Sequence, residues 1–203
     1  MMTERIRDYF DRKAGGWDRD TKGDDLCRRL EALVSGFGIP HGGWVLDVGT
    51  GTGILHPYLL SAVGETGWVM AFDFSSCMLA EAMRKSCSEH LACFQADVTA
   101  IPLADGTCDS VICFAAFPHF DRKQKAMREM ARVTKPGGRI AIAHLMSRRQ
   151  IARHHDANPE VMGHYLPSDE RMRQLFSNAG LDLVSIEDAP GRYLAMADKR
   201  SAR

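Results

Sequence analysis

The sequence predicts an α/β fold in which a parallel β-sheet is covered by helices on both faces. Short apolar runs typical of buried strands alternate along most of the chain with segments whose apolar residues recur at helical spacing. A glycine-rich turn at 49–53 follows the first of these strands, and the turn Pro136-Gly137-Gly138 precedes the last strand of the alternation. Right-handed crossovers then place the carboxyl ends of the parallel strands along one edge, where such folds bind ligands.

These patterns define the elements in chain order. Apolar residues at helical spacing after Leu26 predict the first helix, which a cluster of glycines ends. Ser75 or Ser76 caps the third helix, and Ser168, ahead of two acidic residues, caps the last one. The turn at 188–191 predicts a hairpin between the two closing strands. The predicted helices are 24–37, 54–63, 75–85, 123–133 and 168–179, and the predicted strands are 44–48, 68–72, 91–94, 108–114, 139–144, 181–186 and 192–197.

The length favours one domain over residues 1–203, with two segments outside the alternation. Residues 1–23 are a polar, partly aromatic lead, which we interpret as a cap. Residues 145–167 are rich in histidine and arginine, and they follow the strand that ends at His144. Because this second segment follows a strand's carboxyl end, we expect it to form a lid on the substrate side of the binding edge.

Composition excludes several classes of protein. Lys plus Arg and Asp plus Glu both total 26, so the net charge is zero, which argues against a chain that mainly coats nucleic acid. No apolar run approaches the roughly 18 residues that a membrane-spanning helix needs, and residues 1–8 are too polar for a secretory signal. The six cysteines form no C-x-x-C pair, which is typical of reduced thiols. We therefore expect a cytoplasmic protein.

The glycine-rich turn carries the strongest chemical signal. The first strand runs into Gly49, Gly51 and Gly53, so a ligand can approach main-chain N–H groups closely. Dinucleotide-binding proteins use the spacing G-x-G-x-x-G, whereas this turn is G-x-G-x-G and is preceded by Asp47. A carboxylate at that position would repel a pyrophosphate and would suit the ammonium group of a ligand that contains an amino acid.

The segment from Asp47 to Gly53 resembles the nucleotide-binding motif of class I S-adenosylmethionine-dependent methyltransferases, particularly the small-molecule branch that includes ubiquinone and menaquinone methyltransferases. The similarity extends over roughly residues 9–145. The other matching positions are, in order, Tyr9-Phe10-Asp11 with Trp17-Asp18, Asp73, Ala96-Asp97-Val98 and Lys135-Pro136-Gly137-Gly138-Arg139. The resemblance implies a Rossmann-like seven-stranded, mostly parallel sheet with an antiparallel C-terminal strand, S-adenosylmethionine as cofactor, and methyl transfer to a small molecule.

The resemblance also implies roles for individual residues. Asp73 would bind both ribose hydroxyls, a role that its place about 20 residues after the turn supports independently. Asp97 would accept a hydrogen bond from the adenine amine, beside Val98. Asp47, Gly49 and Gly51 would hold the methionine part, and Tyr9, Phe10 and Trp17 would close over the cofactor. Further cofactor contacts are expected from Thr50, Gly53, Phe74, Ser75 and Met78, and Phe114 to Phe117 would line the methyl-transfer end.

Histidines supply the candidates for the acceptor side. His119 follows the fourth strand, and His144, His154, His155 and His164 fall in or beside the expected lid. Imidazoles there are candidates for a general base or a substrate contact, and a divalent metal site is a weaker alternative because the spacing fits no standard motif. Solvated or capping histidines are the competing interpretation, so we assign no metal ligand.

Two other functions remain open from the sequence alone. A nicotinamide-dependent oxidoreductase would share the fold, although the turn spacing and Asp47 count against it. A protein that binds S-adenosylmethionine or its demethylated product without chemistry is the second, because no single residue is an unmistakable base. We expect a small-molecule acceptor and no nucleic-acid partner, and the C-terminal hairpin makes a homodimer possible.

Overall fold

A computed structural model describes residues 4–18 and 23–201 and contains the predicted mixed sheet. The strands are β1 (Trp44–Val48), β2 (Trp68–Asp73), β3 (Leu91–Gln95), β4 (Cys108–Phe114), β5 (Thr134–His144), β6 (Leu181–Ala189) and β7 (Arg192–Lys199). Their order in the seven-stranded sheet is β3-β2-β1-β4-β5-β7-β6. The first five strands pair in parallel, and β7 lies antiparallel between β5 and β6. The predicted fold class is confirmed.

Seven α-helices are present in the described part of the chain. They are α1 (Glu4–Lys13), α2 (Asp24–Ser35), α3 (His56–Val63), α4 (Ser76–Lys85), α5 (Lys123–Val133), α6 (Arg148–Asp156) and α7 (Asp169–Ser177). The sequence did not predict α1 or α6. Each is short and buries only two residues, and in α1 the helical spacing of Ile6, Tyr9 and Phe10 was overlooked within the polar lead. A capping box between Ser147 and Gln150 begins α6 instead.

Strand β5 is longer than predicted, because it includes the expected turn at 136–138. The pairing with β4 shifts there: Cys108 pairs with Thr134, whereas Ser110 pairs with Arg139. The turn is therefore an irregularity within a strand rather than a break before one.

Two apolar cores lie on the two faces of the sheet. Leu46 and Val48 of β1 pack on the face covered by α5 and α7, whereas Val45 packs against α2 and α3. Because successive side chains of a strand alternate between faces, Asp47 points to the same side as Val45. This alternation decides the surroundings of Asp47.

The predicted segments differ in how much of them is described. Residues 1–3 and 19–22 of the expected cap, and residues 202–203, lie outside the described residues. The C-terminal hairpin was expected to make a homodimer possible. Of its two strands, β7 lies inside the sheet and β6 lies at the edge. All six cysteines are free. None of the helices in 4–18 and 23–201 is long and apolar enough to span a membrane.

Candidate active site

A cavity opens at the carboxyl ends of β1, β2, β4 and β5, the edge that the sequence predicts for ligand binding. The cap covers it with Phe10, Trp17 and Asp18, and α2 contributes Leu26. The rest of the lining is Gly49, Thr50, Gly51, Thr52, Ile54, Phe72, Asp73, Phe74, Met78, Ala96, Asp97, Val98, Phe114, Ala115, Ala116, His119, Phe120 and His144.

The turn after β1 brings bare backbone to the cavity. Gly49 and Gly51 both have positive φ, which favours glycine. A Cβ on Gly49 would lie 2.5 Å from the Cβ of Ala116, whereas a Cβ on Gly51 would meet no atom within 4 Å. The turn therefore packs tightly on one side and opens into the cavity at Gly51.

Asp73 ends β2 and faces this turn. Its Oδ2 accepts a hydrogen bond from the Gly51 N–H, and its Oδ1 accepts one from the Ser75 N–H, each at 2.8 Å. Burial raises the pKa of Asp73, and these two N–H groups oppose that rise. Each carboxylate oxygen can accept a second hydrogen bond, so Asp73 is fixed in place and can still bind a pair of ligand hydroxyls.

The predicted adenine and helix residues lie at the next strand ends. Asp97 and Val98 line the cavity after β3, and the Asp97 Oδ1 accepts a hydrogen bond from Thr99 N–H at 2.8 Å. Phe74 and Met78 also line the cavity. Ser75 does not; it caps α4 by accepting from Met78 N–H at 3.1 Å.

Asp47 lies beneath the turn rather than in the cavity wall. It is 2% exposed, and its Oδ2 accepts a 2.6 Å hydrogen bond from Thr50 Oγ1. The Thr50 hydroxyl is also 2.8 Å from Nε2 of the buried His56, whose Nδ1 lies 3.2 Å from Ser86 Oγ. The carboxylate expected to hold an ammonium group therefore stabilises the turn itself. Gly53 likewise lies outside the lining, with its Cα facing the His56 ring.

Burial moves the pKa values of Asp47 and His56 in opposite directions. It raises the pKa of Asp47 to about 7, with the Thr50 hydrogen bond opposing, and lowers that of His56 to about 4. In the folded state Asp47 holds a proton that the unfolded chain has lost, so its contribution to stability falls as the pH rises from about 4 to 7. His56 lacks a proton that the unfolded chain binds, so its contribution rises from about pH 4 to 6.5.

We expect the Asp47→Asn variant to reveal the contribution of His56. In the wild type the slopes of Asp47 and His56 oppose each other, and the other buried histidines add the same slope to every variant. Between about pH 4.5 and 6.5 the free energy of unfolding of the variant should therefore rise with pH more steeply than that of the wild type, by at most about 1.4 kcal/mol per pH unit. Urea unfolding at several pH values measures this, and Asp47→Asn,His56→Gln is the control in which the slope returns to that of the wild type. A variant slope equal to that of the wild type would contradict the buried pair.

The cap is fixed on both sides of the cavity. Asp11 accepts hydrogen bonds from Ser75 Oγ and Cys77 N–H, and Asp18 accepts from Thr52 Oγ1 at 2.8 Å. On the other side, Tyr9 OH accepts from Asn158 Nδ2 at 3.0 Å. Further links are the Arg12–Glu160 ion pair, the Asp18–Lys85 ion pair and the hydrogen bond from Arg5 to the Pro159 carbonyl.

The aromatic residues of the cap have different positions. Phe10 and Trp17 line the cavity, with ring centroids 5.5 Å apart. Tyr9 instead packs with Ile6 and Val161, outside the lining. Tyr9 therefore joins the cap to the segment 145–167 rather than closing over a ligand.

The end of the cavity opposite Asp97 is apolar, apart from imidazoles. Phe114, Ala115 and Ala116 follow β4, and Ala115 has a positive φ of 57°, a strained conformation for a residue with a Cβ. Phe117, which was expected to line this end, is 1% exposed and packs in the core. His119 and His144 complete the wall.

The structure separates the five candidate histidines. His119, His155 and His164 form one cluster: Nδ1 of His119 lies 3.1 Å from Nδ1 of His164, and the rings of His119 and His155 are 4.9 Å apart. His155 and His164 lie outside the cavity lining, and His154 is exposed on α6. Nδ1 of His144 is buried without a hydrogen-bond partner among residues 4–18 and 23–201.

Among these described residues, no three His, Cys, Asp or Glu residues have the geometry of a metal site.

Burial sets the charge of these imidazoles. It lowers the pKa of His144 to about 4, with His155 and His154 adding to the effect. It also lowers the pKa values of His119, His155 and His164. All four rings are therefore neutral near pH 7, and each has one N–H donor and one nitrogen acceptor.

Sequence reasoning missed several residues of the site. Leu26 was assigned to the apolar face of α2, and nothing in the spacing distinguishes it from the core positions that follow. Asn158 and Lys85 hold the cap through contacts between distant segments, which one sequence does not reveal. Ile54 and Phe120 flank recognised motifs, so only their proximity to those motifs was available as a signal.

The residues present fit an adenosyl cofactor that carries an amino acid. The bare backbone at Gly51, two acceptor oxygens of Asp73 and the Asp97 carboxylate lie in one cavity wall. The fold is Rossmann-like, and the arrangement of this site is the one expected of a class I methyltransferase.

Comparisons with known proteins agree. The family described as "Methyltransferase domain" matches residues 46–142. The ubiquinone/menaquinone biosynthesis C-methyltransferase UbiE of Klebsiella pneumoniae is 37% identical over 109 residues, 52% of this chain and 43% of that protein. UbiE of Pseudomonas aeruginosa is 27% identical over 198 residues, 84% of this chain and 77% of that protein. A solved SAM-dependent methyltransferase from Aquifex aeolicus superposes with a TM-score of 0.73 at 25% identity, covering 95% of this chain and 97% of that one.

Residues 46–142 match a methyltransferase domain, and the chain is similar to class I S-adenosylmethionine-dependent methyltransferases of the UbiE-like branch, a similarity that supports S-adenosylmethionine as the cofactor. The alignment with the Klebsiella relative spans less than half of that protein's length.

Proposed function

We propose that this protein transfers a methyl group from S-adenosylmethionine to a small, uncharged aromatic molecule. The observation that carries the proposal is the asymmetry of the cavity. Carboxylates and bare backbone line one end, and aromatic rings with two neutral imidazoles line the other. Such a cavity can hold a polar cofactor and an apolar acceptor side by side.

The cofactor end is assigned by its hydrogen-bonding groups. Asp73 binds the ribose hydroxyls through the lone pairs that Gly51 and Ser75 leave free. Asp97 binds the adenine amine, and Val98 and Met78 pack against the base. The open backbone at Gly51 holds the methionine part. Asp47, which is buried under the turn, supports that part indirectly.

The acceptor end favours a flat, apolar ring. Phe10, Trp17, Phe114 and Phe120 supply aromatic surface, and no lysine or arginine lines the cavity among the described residues. The UbiE relatives are named for quinone biosynthesis, so we take the reduced form of 1,4-naphthoquinone as the test acceptor. Its hydroxyl groups match the hydrogen-bonding capacity of two imidazoles.

His119 and His144 are the two candidates that touch such an acceptor. His119 acts as general base, because it is 8% exposed, lines the cavity and is unprotonated near pH 7. His144 orients the acceptor, because its ring lines the cavity and its Nε2, unlike the enclosed Nδ1, is not among the fully buried unpartnered atoms of the described residues.

The protein's remaining task is positioning. Bound S-adenosylmethionine supplies an electrophilic methyl group, so the chain needs to align a nucleophile and exclude water. The cap excludes water because it is tied to α4 through Asp11 and through the ion pair of Asp18 with Lys85, and to the segment 145–167 through Tyr9 and Arg12. The free cysteines suit a reducing compartment, so we place the reaction in the cytoplasm.

Two measurements test the function. Calorimetry should detect binding of S-adenosylmethionine and none of NADH, since the spacing of the glycines in the turn disfavours a pyrophosphate. With S-adenosylmethionine and 1,4-naphthohydroquinone under anaerobic conditions, mass spectrometry should detect S-adenosylhomocysteine and a methylated ring. Preferential binding of NADH would contradict the proposal. Binding of S-adenosylmethionine without turnover on naphthohydroquinone or simple phenols would favour a protein that only binds the cofactor.

A further inference from the structure

Two histidines from distant parts of the chain face each other beside the acceptor end. Nδ1 of His119, after β4, lies 3.1 Å from Nδ1 of His164, in the segment 145–167. Both rings are neutral near pH 7, so one Nδ1 donates its hydrogen and the other accepts it. His119 lines the cavity, whereas His164 is half-buried outside it.

The other ring nitrogen of His119 is available to a ligand. Nε2 has no hydrogen bond within the described residues, and it is not one of their fully buried unpartnered atoms. The ring packs edge-on against Phe10, with centroids 5.1 Å apart, so the two rings share one part of the cavity wall. The accessible edge of His119 is therefore the edge that faces the cavity.

His155 holds His164 in place. Its Nδ1–H donates to the main-chain carbonyl of His164, and its own ring lies 4.9 Å from that of His119. His155 is 5% exposed, near the end of α6. His155 therefore fixes the position of His164 against His119 from within the segment 145–167.

We propose that His164 is a positioning residue that fixes the tautomer of His119 and accepts its Nδ1 proton during the reaction. This inference rests on the proposed function. His119 donates from Nδ1 to Nδ1 of His164, which leaves Nε2 unprotonated toward an acceptor hydroxyl.

The proton transfer balances without a further reactant. As the acceptor's O–H bond breaks, its electron pair stays on the acceptor, its proton goes to Nε2 of His119, and the Nδ1 proton of His119 passes to Nδ1 of His164. Once a ring carbon carries the methyl group, the hydrogen of that carbon leaves as a proton and the oxygen regains a proton from water, so one proton is released for each methyl group transferred. His164 then releases its own Nε2 proton to water. Positive charge therefore moves from a buried ring to a half-buried one, where solvation is better. Proton exchange with water restores the starting tautomer of His119 after the product leaves.

The groups around the pair favour its neutral form. Lys123, His144 and His155 each lower the pKa of His119, beyond the effect of burial. For His164, burial, Lys123, His155 and Arg5 lower the pKa, and Asp121 opposes them. Protonation of both rings at low pH would bring two N–H donors together, so the pair should separate as the pH falls.

Nuclear magnetic resonance of the full chain, labelled with ¹⁵N-histidine and saturated with S-adenosylhomocysteine, tests the tautomer. We expect His119 to carry its hydrogen on Nδ1 in the wild type. In the His164→Phe variant its hydrogen should move wholly or partly to Nε2. The control Tyr165→Phe, at the neighbouring position on the same segment, should leave the tautomer unchanged. A wild-type His119 protonated at Nε2 would overturn the proposal.

Single-turnover rates with 1,4-naphthohydroquinone give the second readout. We expect the rate of His164→Phe to fall by about tenfold or more, and that of His119→Phe by about a hundredfold. The conservative His164→Asn variant retains an acceptor near the position of Nδ1 but cannot take the proton. It should restore the tautomer without restoring the rate. Full recovery of the rate in His164→Asn, or an unchanged rate in His164→Phe, would overturn the relay.

These outcomes are separable from failure of the proposed function. The tautomer is measured without turnover, and affinity for S-adenosylhomocysteine should be the same in both His164 variants and the wild type. If His164→Phe unfolds, the wild-type tautomer and the His164→Asn rate still decide the proposal.

Discussion

Replacing Asp73 by alanine should weaken binding of S-adenosylmethionine by about 10- to 100-fold. The loss of hydrogen bonds to a charged group costs about 1.5–3 kcal/mol, which corresponds to that range of affinity. The carboxylate also accepts from Gly51 N–H and Ser75 N–H, so its removal additionally frees the turn that contacts the ligand. Calorimetry with S-adenosylmethionine and S-adenosylhomocysteine measures the effect.

Two control variants separate the loss of the ribose contact from the loss of the hydrogen bonds at the start of α4. Asp73→Asn keeps an acceptor oxygen in the same shape, so it should lose less affinity than the alanine variant. Ser75→Ala removes the cap of α4 and the bond to Asp11 without touching the cavity wall. Equal losses in Asp73→Ala and Ser75→Ala would mean that the start of α4, rather than the ribose contact, accounts for the effect. An unchanged affinity in a folded Asp73→Ala protein would remove Asp73 from the site.

The sheet was predictable because its signals are local. The strands β1 to β4 are short apolar runs, and so is the part of β5 from 139 to 144 that the sequence predicts. The helix α6 was missed for the opposite reason. It buries only Ile151 and His155, so most of its stabilisation comes from the capping box and from packing against distant residues.

The cofactor end could be predicted because its residues follow strand ends. Asp73 is the last residue of β2 and Asp97 lies two residues after β3, so the fold alone brings them to one edge. The place of Asp47 was misjudged although it lies only two residues before the turn. The pleat of β1 turns its side chain under the loop, toward His56, and position along the chain does not reveal this.

The acceptor end was only partly predictable. Five histidines were candidates, and the sequence offered no way to rank them. The segment 145–167 folds back so that His164 reaches His119 across 45 positions of sequence, and the helical phase of α6 buries His155 while exposing His154. Both facts depend on tertiary packing between segments that share no motif.

The two glycines of the turn should fail in different ways when alanine replaces them. At Gly51 the added Cβ meets no protein atom within 4 Å, so Gly51→Ala should fold with a backbone strain of about 1–2 kcal/mol. The variant should lose affinity for S-adenosylmethionine, because the methyl group of the alanine side chain enters the cavity. At Gly49 it would lie 2.5 Å from Ala116 Cβ, so overpacking adds about 1–3 kcal/mol and lowers the unfolding midpoint further. Ala116→Gly removes the colliding atom, so combining it with Gly49→Ala should recover part of the lost stability, a coupling that a double-mutant cycle measures. An unfolding midpoint of Gly49→Ala equal to that of Gly51→Ala would show that the turn does not pack on the residues after β4.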